Sequence, residues 1–354
     1  MADGGSTTTN ATPGLLVRLD AGPVICAEGY LFEFERRGYL QAGAFVPEIV
    51  LERPDLVRVL HEEFVHAGSD VVLAFTYYGH REKLRVIGKE DQLEPMNRDA
   101  LSIAVEVARA TGTLAAGDLC NTNAYAPDAE AERAVRAMFD EQMEWVAEAG
   151  VDYVVGETFS YVGEALLALE AMRSSGLPTV VTLAYHQAER SRDGFTPEDA
   201  CRRLADAGAD VVGLNCTRGP KTMMPMIARI RDAVDCHVAA LPVPYRTTVA
   251  QPSFQSLRDP DCDCLPTERA FPTALDPFTC NRYEIAEFGR AAQALGVNYV
   301  GVCCGAAAHH IRSLAEALGR TPPASRFSPD MSKHAFLGTD TLLHAHNQAY
   351  AGDL

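Results

Sequence analysis

The chain has too few basic residues for a nucleic-acid or anionic-membrane protein. Its 31 lysines and arginines face 48 aspartates and glutamates, a formal net charge of −17. Such a surface repels phosphate backbones and acidic headgroups. No apolar run approaches the ~20 residues of a membrane-spanning helix. The first 13 residues are rich in Gly, Ser, Thr and Asn, and lack both a basic flank and an apolar centre. They read as a disordered tail rather than a secretory signal. Also missing is a Gly-rich strand–turn–helix fingerprint for phosphate, since Asp3-Gly4-Gly5 follows no strand. That absence counts against an open, doubly wound dinucleotide-binding sheet. Ten cysteines in a chain of 354 residues are not a small disulfide scaffold, and they point to a reducing cytoplasm.

What the chain does have is a recurring phrase. Ala67-Gly68-Ser69-Asp70-Val71-Val72 is echoed by Ala149-Gly150-Val151-Asp152-Tyr153-Val154 and by Ala207-Gly208-Ala209-Asp210-Val211-Val212. Leu295-Gly296-Val297-Asn298-Tyr299-Val300 is a fourth copy. Each copy ends an amphipathic stretch at a C′ glycine and enters a β-branched run. Helix, glycine and strand in repetition predict parallel strands joined by helices. Strand starts are expected near Pro23, Asp70, Thr113, Asp152, Pro178, Asp210, His237 and Asn298. Eight such units make a closed (β/α)8 TIM barrel. Helices are expected over 130–149, with Val135, Met138, Phe139, Met143 and Val146 on one core-facing side, and from Pro197, with Thr196 as N-cap. Residues 243–280, Pro- and Thr-rich, read as a long loop after the seventh strand. Cys262-Asp263-Cys264 within it is a weak metal candidate, having no further ligand nearby. Thr321-Pro322-Pro323 breaks the last barrel helix. Residues 339–350 read as a separate helix with Leu342, Leu343 and His346 on one side. The expected divisions are thus a tail (1–13), a barrel (14–320) and a C-terminal extension (321–354).

Two cysteine motifs stand where buried strands end: Gly213-Leu214-Asn215-Cys216 and Gly301-Val302-Cys303-Cys304-Gly305. Their glycines permit the turns and close approaches that strand ends need. Three converging thiolates form a soft site for zinc, at about 2.3 Å per Zn–S bond. No fourth cysteine or histidine has a matching context, and three ligands with one open position make the catalytic kind of site. An adjacent pair also admits a reducible disulfide. Cys26, Cys120, Cys201, Cys236 and Cys280 read as small buried hydrophobes.

At these motifs the sequence resembles the homocysteine S-methyltransferase family, most closely its betaine–homocysteine branch. The resemblance runs from about Leu15 to the last helix. It rests on Cys216, Cys303 and Cys304 at the family's G-x-N-C and G-G-C-C-G positions, separated by 303 − 216 = 87 residues. Glu35-Arg36-Arg37-Gly38-Tyr39, Tyr77-Tyr78 and His310-Ile311-Arg312 support it. The resemblance implies a zinc-dependent transfer of a methyl group from a small onium donor to homocysteine, giving methionine. It also implies a homo-oligomer, dimer or tetramer, formed through the C-terminal extension.

A free thiol's pKa of ~8.5 leaves homocysteine mostly protonated at neutral pH, and a metal's open position removes that proton. No general base beyond the metal is needed, and the barrel's task is alignment. By resemblance, Glu157 holds the amino acid's ammonium group. The family's Asp-Gly-Gly after the first strand reads Ala27-Glu28-Gly29 here, so Glu28 and Gly29 stand at the acceptor site without the usual aspartate. Phe45, Tyr77, Tyr78 and Thr158 fall at the donor pocket. Aromatic faces suit an onium group at ~0.5–2 kcal/mol each. Thr158 stands where the betaine branch has a tyrosine and Phe45 where it has a tryptophan, which predicts a donor other than glycine betaine. Tyr161 offers a ring a few residues on. Two other readings stay open: a homocysteine-binding module served by a corrinoid or folate methyl-carrier partner, and a zinc-dependent thiol sensor without turnover.

Overall fold

The computed structural model describes residues 13–265 and 268–354. The tail expected over 1–13 lies almost wholly outside the described residues. Eight strands form one closed parallel barrel in sequence order. They are β1 (Val24–Ala27), β2 (Val71–Leu73), β3 (Leu114–Cys120), β4 (Tyr153–Phe159), β5 (Thr179–Leu183), β6 (Val211–Asn215), β7 (His237–Leu241) and β8 (Tyr299–Val302). Seven start one residue after the expected position and β7 starts on it. Long helices pack outside, for example Leu93–Thr111 and Ala129–Ala149. The latter starts at Asp128, whose side chain accepts from the N–H groups of Glu130 and Ala131, and it buries the five apolar residues expected. Thr196 caps the helix Pro197–Asp206 by accepting from Asp199 N–H.

The recurring phrase has a physical job beyond ending helices. Asp70 accepts from Ile25 N–H at 2.7 Å, Asp152 from Ala115 N–H at 2.8 Å and Asp210 from Thr179 N–H at 2.8 Å. Each aspartate opens one strand and staples it to the start of the strand before. Parallel strands leave such N–H groups unpaired at the barrel floor, and buried donors need acceptors. Asn298 instead donates to Leu19 O at 3.1 Å. Arg320, just past the last barrel helix, closes the ring by pairing with Asp70 and donating to Pro23 O.

The residues beyond the barrel differ from the expectation. Only Ala345–Tyr350 is α-helical, while Pro323–Phe327 and Met331–Lys333 are short 3-10 turns. Asp340 captures the N–H of Leu342 at 2.9 Å, which makes a turn where a helix was expected to start. Leu342 and Leu343 therefore precede the helix instead of sharing a face with His346. The described residues of the 243–280 segment form a loop with single 3-10 turns at Phe254–Ser256 and Asp276–Phe278. Cys262 and Cys264 form a disulfide within it, so their metal candidacy falls away. Among the described residues no helix is long and apolar enough to cross a membrane.

Removing one staple tests the floor. Asp210→Ala removes the acceptor of both the Thr179 N–H and the Thr179 hydroxyl hydrogen, so unfolding in urea should show a loss of about 1–3 kcal/mol. Metal content and turnover should stay at wild-type level. Unchanged stability would mean that water serves the same donors equally well.

Candidate active site and metal centre

β7 is the reason the two cysteine motifs meet. Cys216 N–H donates to Leu241 O at 2.9 Å, and Cys303 N–H donates to Pro242 O at 2.9 Å. Motifs 87 residues apart in sequence thus hang on adjacent carbonyls at one strand end. The neighbouring backbones are close: a Cβ on Gly213 would strike Ala239 O, and one on Gly301 would strike Cys26 O. The sulfurs of Cys216, Cys303 and Cys304 lie within 4.8 Å of one another. Cys216 and Cys303 are buried, and Cys304 is partly open. Hydrogen bonds from Cys303 and Cys304 hold the Cys216 thiol well below its ordinary range, while burial drives Cys303 up. Hydrogen bonding to Cys216 raises Cys304 as well. Three mutually bonded sulfurs at this spacing fit a thiophilic divalent ion, which replaces the shared protons with its own charge.

Asn215 organises the other side. Its Oδ1 accepts from Thr158 N–H at 2.9 Å, and its Nδ2 donates to Thr158 Oγ1 at 2.8 Å and to Glu157 Oε2. The same Nδ2 stands 3.8 Å from Cys303 Sγ. One side-chain amide therefore fixes the end of β4 to the cysteine cluster. The β4–β5 register shifts between Gly156 and Phe159, an irregularity that re-aims Glu157 and Thr158. Thr158 has φ 64°, and among the described residues Phe45, Tyr78, Asn123, Cys216 and Thr217 are the other non-glycine residues with positive φ. Strain of order 1–3 kcal/mol per residue persists only where surroundings over-determine it, and here it gathers at the barrel mouth.

Two cavities open there. An inner chamber is lined by Glu28, Tyr77, Asp118, Glu157 and Cys304 among others. Glu28, Asp118 and Glu157 are all buried. Burial followed by the nearby Cys216 thiolate pushes the Glu157 carboxyl up to about 8. Glu28 and Asp118 are raised by burial and then by Glu157. An outer cleft is lined by Tyr78, Tyr125, Thr158, Tyr161, His186 and Arg192 among others. The Tyr125 and Tyr161 ring centroids are 5.1 Å apart.

The expected site residues are therefore distributed. Tyr77 faces the inner chamber; Tyr78 and Thr158 face the cleft. The Tyr77 and Tyr78 rings are 4.4 Å apart, and Lys83 Nζ covers one face of Tyr78 at 3.9 Å. Phe45 borders neither cavity; it stacks on Phe32 at 5.8 Å in a cluster with Phe254 and Phe271. Gly29 packs so tightly on Ala306 that a Cβ would collide with its carbonyl. Sequence reasoning gave no role to Asp118, Asn215, His186 or Arg192. Asp118 carried a signal, an acid inside the otherwise uncharged stretch Leu114-Ala115-Ala116-Gly117-Asp118-Leu119-Cys120. Cys120 is more than a hydrophobe, since its sulfur accepts from Tyr78 N–H at 3.1 Å.

A family model described as Homocysteine S-methyltransferase matches residues 29–318. The chain belongs to this family. It is accordingly an S-methyltransferase with homocysteine as acceptor. Betaine–homocysteine S-methyltransferase 1 of Xenopus tropicalis is 35% identical over 351 residues, 95% of this chain and 82% of that protein. S-methylmethionine–homocysteine S-methyltransferase BHMT2 of Mus musculus is 35% identical over 359 residues, 97% of this chain and 91% of that protein. The solved structure of the homocysteine methyltransferase MmuM from Escherichia coli, metallated form, aligns with TM-score 0.64 over 84% of this chain and 96% of its own. At 18% identity that is a likeness of fold.

The cluster predicts its own failure mode. Cys216→Ala or Cys303→Ala should leave protein purified under reducing conditions with little bound metal, against about one ion per chain in the wild type. Elemental analysis checks this, and full metal in Cys303→Ala would mean that the ion sits elsewhere.

Proposed function

We propose that this homocysteine S-methyltransferase takes its methyl group from a small onium donor that also carries an acidic group, and that its metal is zinc, held by Cys216, Cys303 and Cys304. The observation behind the metal is the three-sulfur cluster, a donor set that favours zinc over magnesium or calcium. Zinc bound there supplies a Lewis acid that ionises the acceptor thiol at neutral pH.

The chain's own residues do the rest. Glu157, fixed by Asn215 and Thr158, faces the homocysteine ammonium, and that neighbouring positive charge favours its ionised form. Glu28 and the tight turn at Gly29 line the same seat. Tyr77 stands between acceptor and donor, with Tyr78 and Thr158 beside the donor. The acceptor sulfur attacks the methyl carbon in line as the donor's carbon–nitrogen or carbon–sulfur bond breaks. Methionine forms, and the donor leaves as a neutral amine or thioether. Positioning at near-contact distance is the main source of rate.

The outer cleft supports the donor class. Tyrosine faces suit the cationic head. Arg192, over the Tyr161 ring at 5.7 Å, and His186 suit a carboxylate at the other end. Two similar proteins are named for betaine and for S-methylmethionine, both onium compounds. Tyr161 lines the same cleft as Thr158, while Phe45 does not border it. We retain the reading that glycine betaine is not the preferred donor. A methyl-carrier partner and a sensor without turnover have no observation in their favour.

A reducing cytoplasm suits three free thiols. The barrel over 14–320 is the catalytic unit in this reading. The extension over 321–354 exposes Phe327, Leu337, Leu342 and Tyr350, and suits a homo-oligomer seam.

Two experiments test the reading. Glu157→Ala should raise KM for homocysteine at least tenfold, about the value of one charged hydrogen bond, with metal content unchanged. Wild-type kinetics in that variant would reduce Glu157 to a strand-end acid. A donor panel of glycine betaine, proline betaine, dimethylsulfoniopropionate, S-methylmethionine and S-adenosylmethionine should rank another donor above glycine betaine. If glycine betaine has the highest kcat/KM and Thr158→Tyr brings no gain, the donor assignment is wrong.

A further inference from the structure

The inner chamber contains an acid that the reaction as described leaves idle. Asp118 lies in the middle of β3 among buried Leu114, Ala115, Ala116 and Leu119. Its side chain is 2% exposed, and its Oδ1 is buried without a hydrogen-bond partner. Glu28 is 6% exposed, and both of its carboxylate oxygens are buried and unpartnered. Both residues line one chamber with Glu157, Tyr77 and Cys304, and no lysine, arginine or histidine lines it. Glu157 differs, because its Oε2 already receives Asn215 and Thr158.

Register places the acids in depth. Cys120 of β3 pairs with Glu157 of β4, while Asp118 pairs with Val155. Asp118 is thus one side-chain layer deeper than Glu157. At the end of β1, Ala27 contributes only a methyl, and Glu28 follows it into the mouth. Carboxylates removed from water without a donor or a cation are costly, so their natural complement is a ligand that brings both. A primary ammonium carries one positive charge and three N–H donors. Glu28 Oε1, Glu28 Oε2 and Asp118 Oδ1 are three vacant acceptors.

We infer that Asp118 and Glu28 together bind the α-ammonium group of the amino-acid acceptor, with Asp118 the deeper member of the pair. This rests on homocysteine occupying the chamber with its sulfur toward Cys304. Glu157 then flanks the ammonium from the shallower layer. The pair makes the enzyme selective for thiols that carry an amine. An inorganic cation is the competing occupant, since Glu28, Glu157 and Cys303 offer three ligand atoms within 4.8 Å. Asp118 is absent from that trio, and this separates the two ideas.

The test is a cycle of two acceptors and three proteins with zinc loaded. Homocysteine is compared with 4-mercaptobutyrate, the same thiol and carboxylate without the amino group, using wild type, Asp118→Asn and Glu28→Gln. Wild type should prefer homocysteine. Asp118→Asn should lower kcat/KM for homocysteine roughly 10- to 100-fold, chiefly through KM, and leave 4-mercaptobutyrate nearly unchanged. Metal content and donor KM should hold at wild-type values. An equal fall for both acceptors makes Asp118 a structural acid and overturns the assignment. Loss of metal in Asp118→Asn or Glu28→Gln overturns it in favour of an ion. If Asp118→Asn does not fold, Asp118→Ser enters the same cycle with the same required outcome. Equal use of both thiols by wild type defeats the assignment alone. Methylation of neither defeats the homocysteine reading, and this assignment with it.

Discussion

Negative charge confined in a desolvated mouth is the constraint on which this structure turns. Three sulfurs and three carboxyl groups gather there, and no cationic side chain lines the inner chamber. Two unit charges about 5 Å apart repel by roughly 3 kcal/mol at an effective dielectric of 20. Protons shared among the groups relieve part of this: burial and mutual repulsion raise Glu28, Asp118 and Glu157, and Cys216 alone among the sulfurs is lowered. A metal ion, an ammonium group and an onium head, the three cations of the proposed reaction, would relieve the rest.

The scaffold keeps that charge from dispersing. β7 presents adjacent carbonyls that hold Cys216 and Cys303, and Asn215 locks Glu157 and Thr158 to the same cluster. Positive φ at Thr158, Cys216 and Thr217 is tolerated because these bonds leave the backbone no alternative. Floor and mouth divide the labour. Aspartates at the strand starts bind the barrel together from below, and so leave the strand ends free to carry strained, functional geometry.

Donor recognition follows different physics from acceptor recognition. In the proposed reading, acids select the acceptor inside, where water is scarce and each hydrogen bond counts. Rings and Arg192 line the more open outer cleft, which in the same reading takes the donor by softer attraction and by shape. Lys83 over Tyr78 occupies one aromatic face already, so a donor held there would have fewer faces than the tyrosine count suggests.

Sequence alone determined much of this protein. The repeated Gly-x-Asp/Asn phrase located four of the eight strand starts to within one residue, because helix ends, turns and strand entry obey local rules, and the remaining four followed from the gaps between its copies. The cysteine motifs pointed to a soft metal site, because three thiols gathered at strand ends are the donor set such an ion takes. The tertiary structure decided what depends on distance between remote segments. It put Phe45 against Phe32 and away from the cleft, gave Tyr161 a place beside Tyr125, and shortened the terminal helix where Asp340 captures Leu342 N–H. It also made Asp118 visible as a chamber acid and Asn215 as the clamp. A strand's period tells which residues share a face, but only barrel closure decides which faces of different strands meet at one depth, and hence which acids are left without a partner.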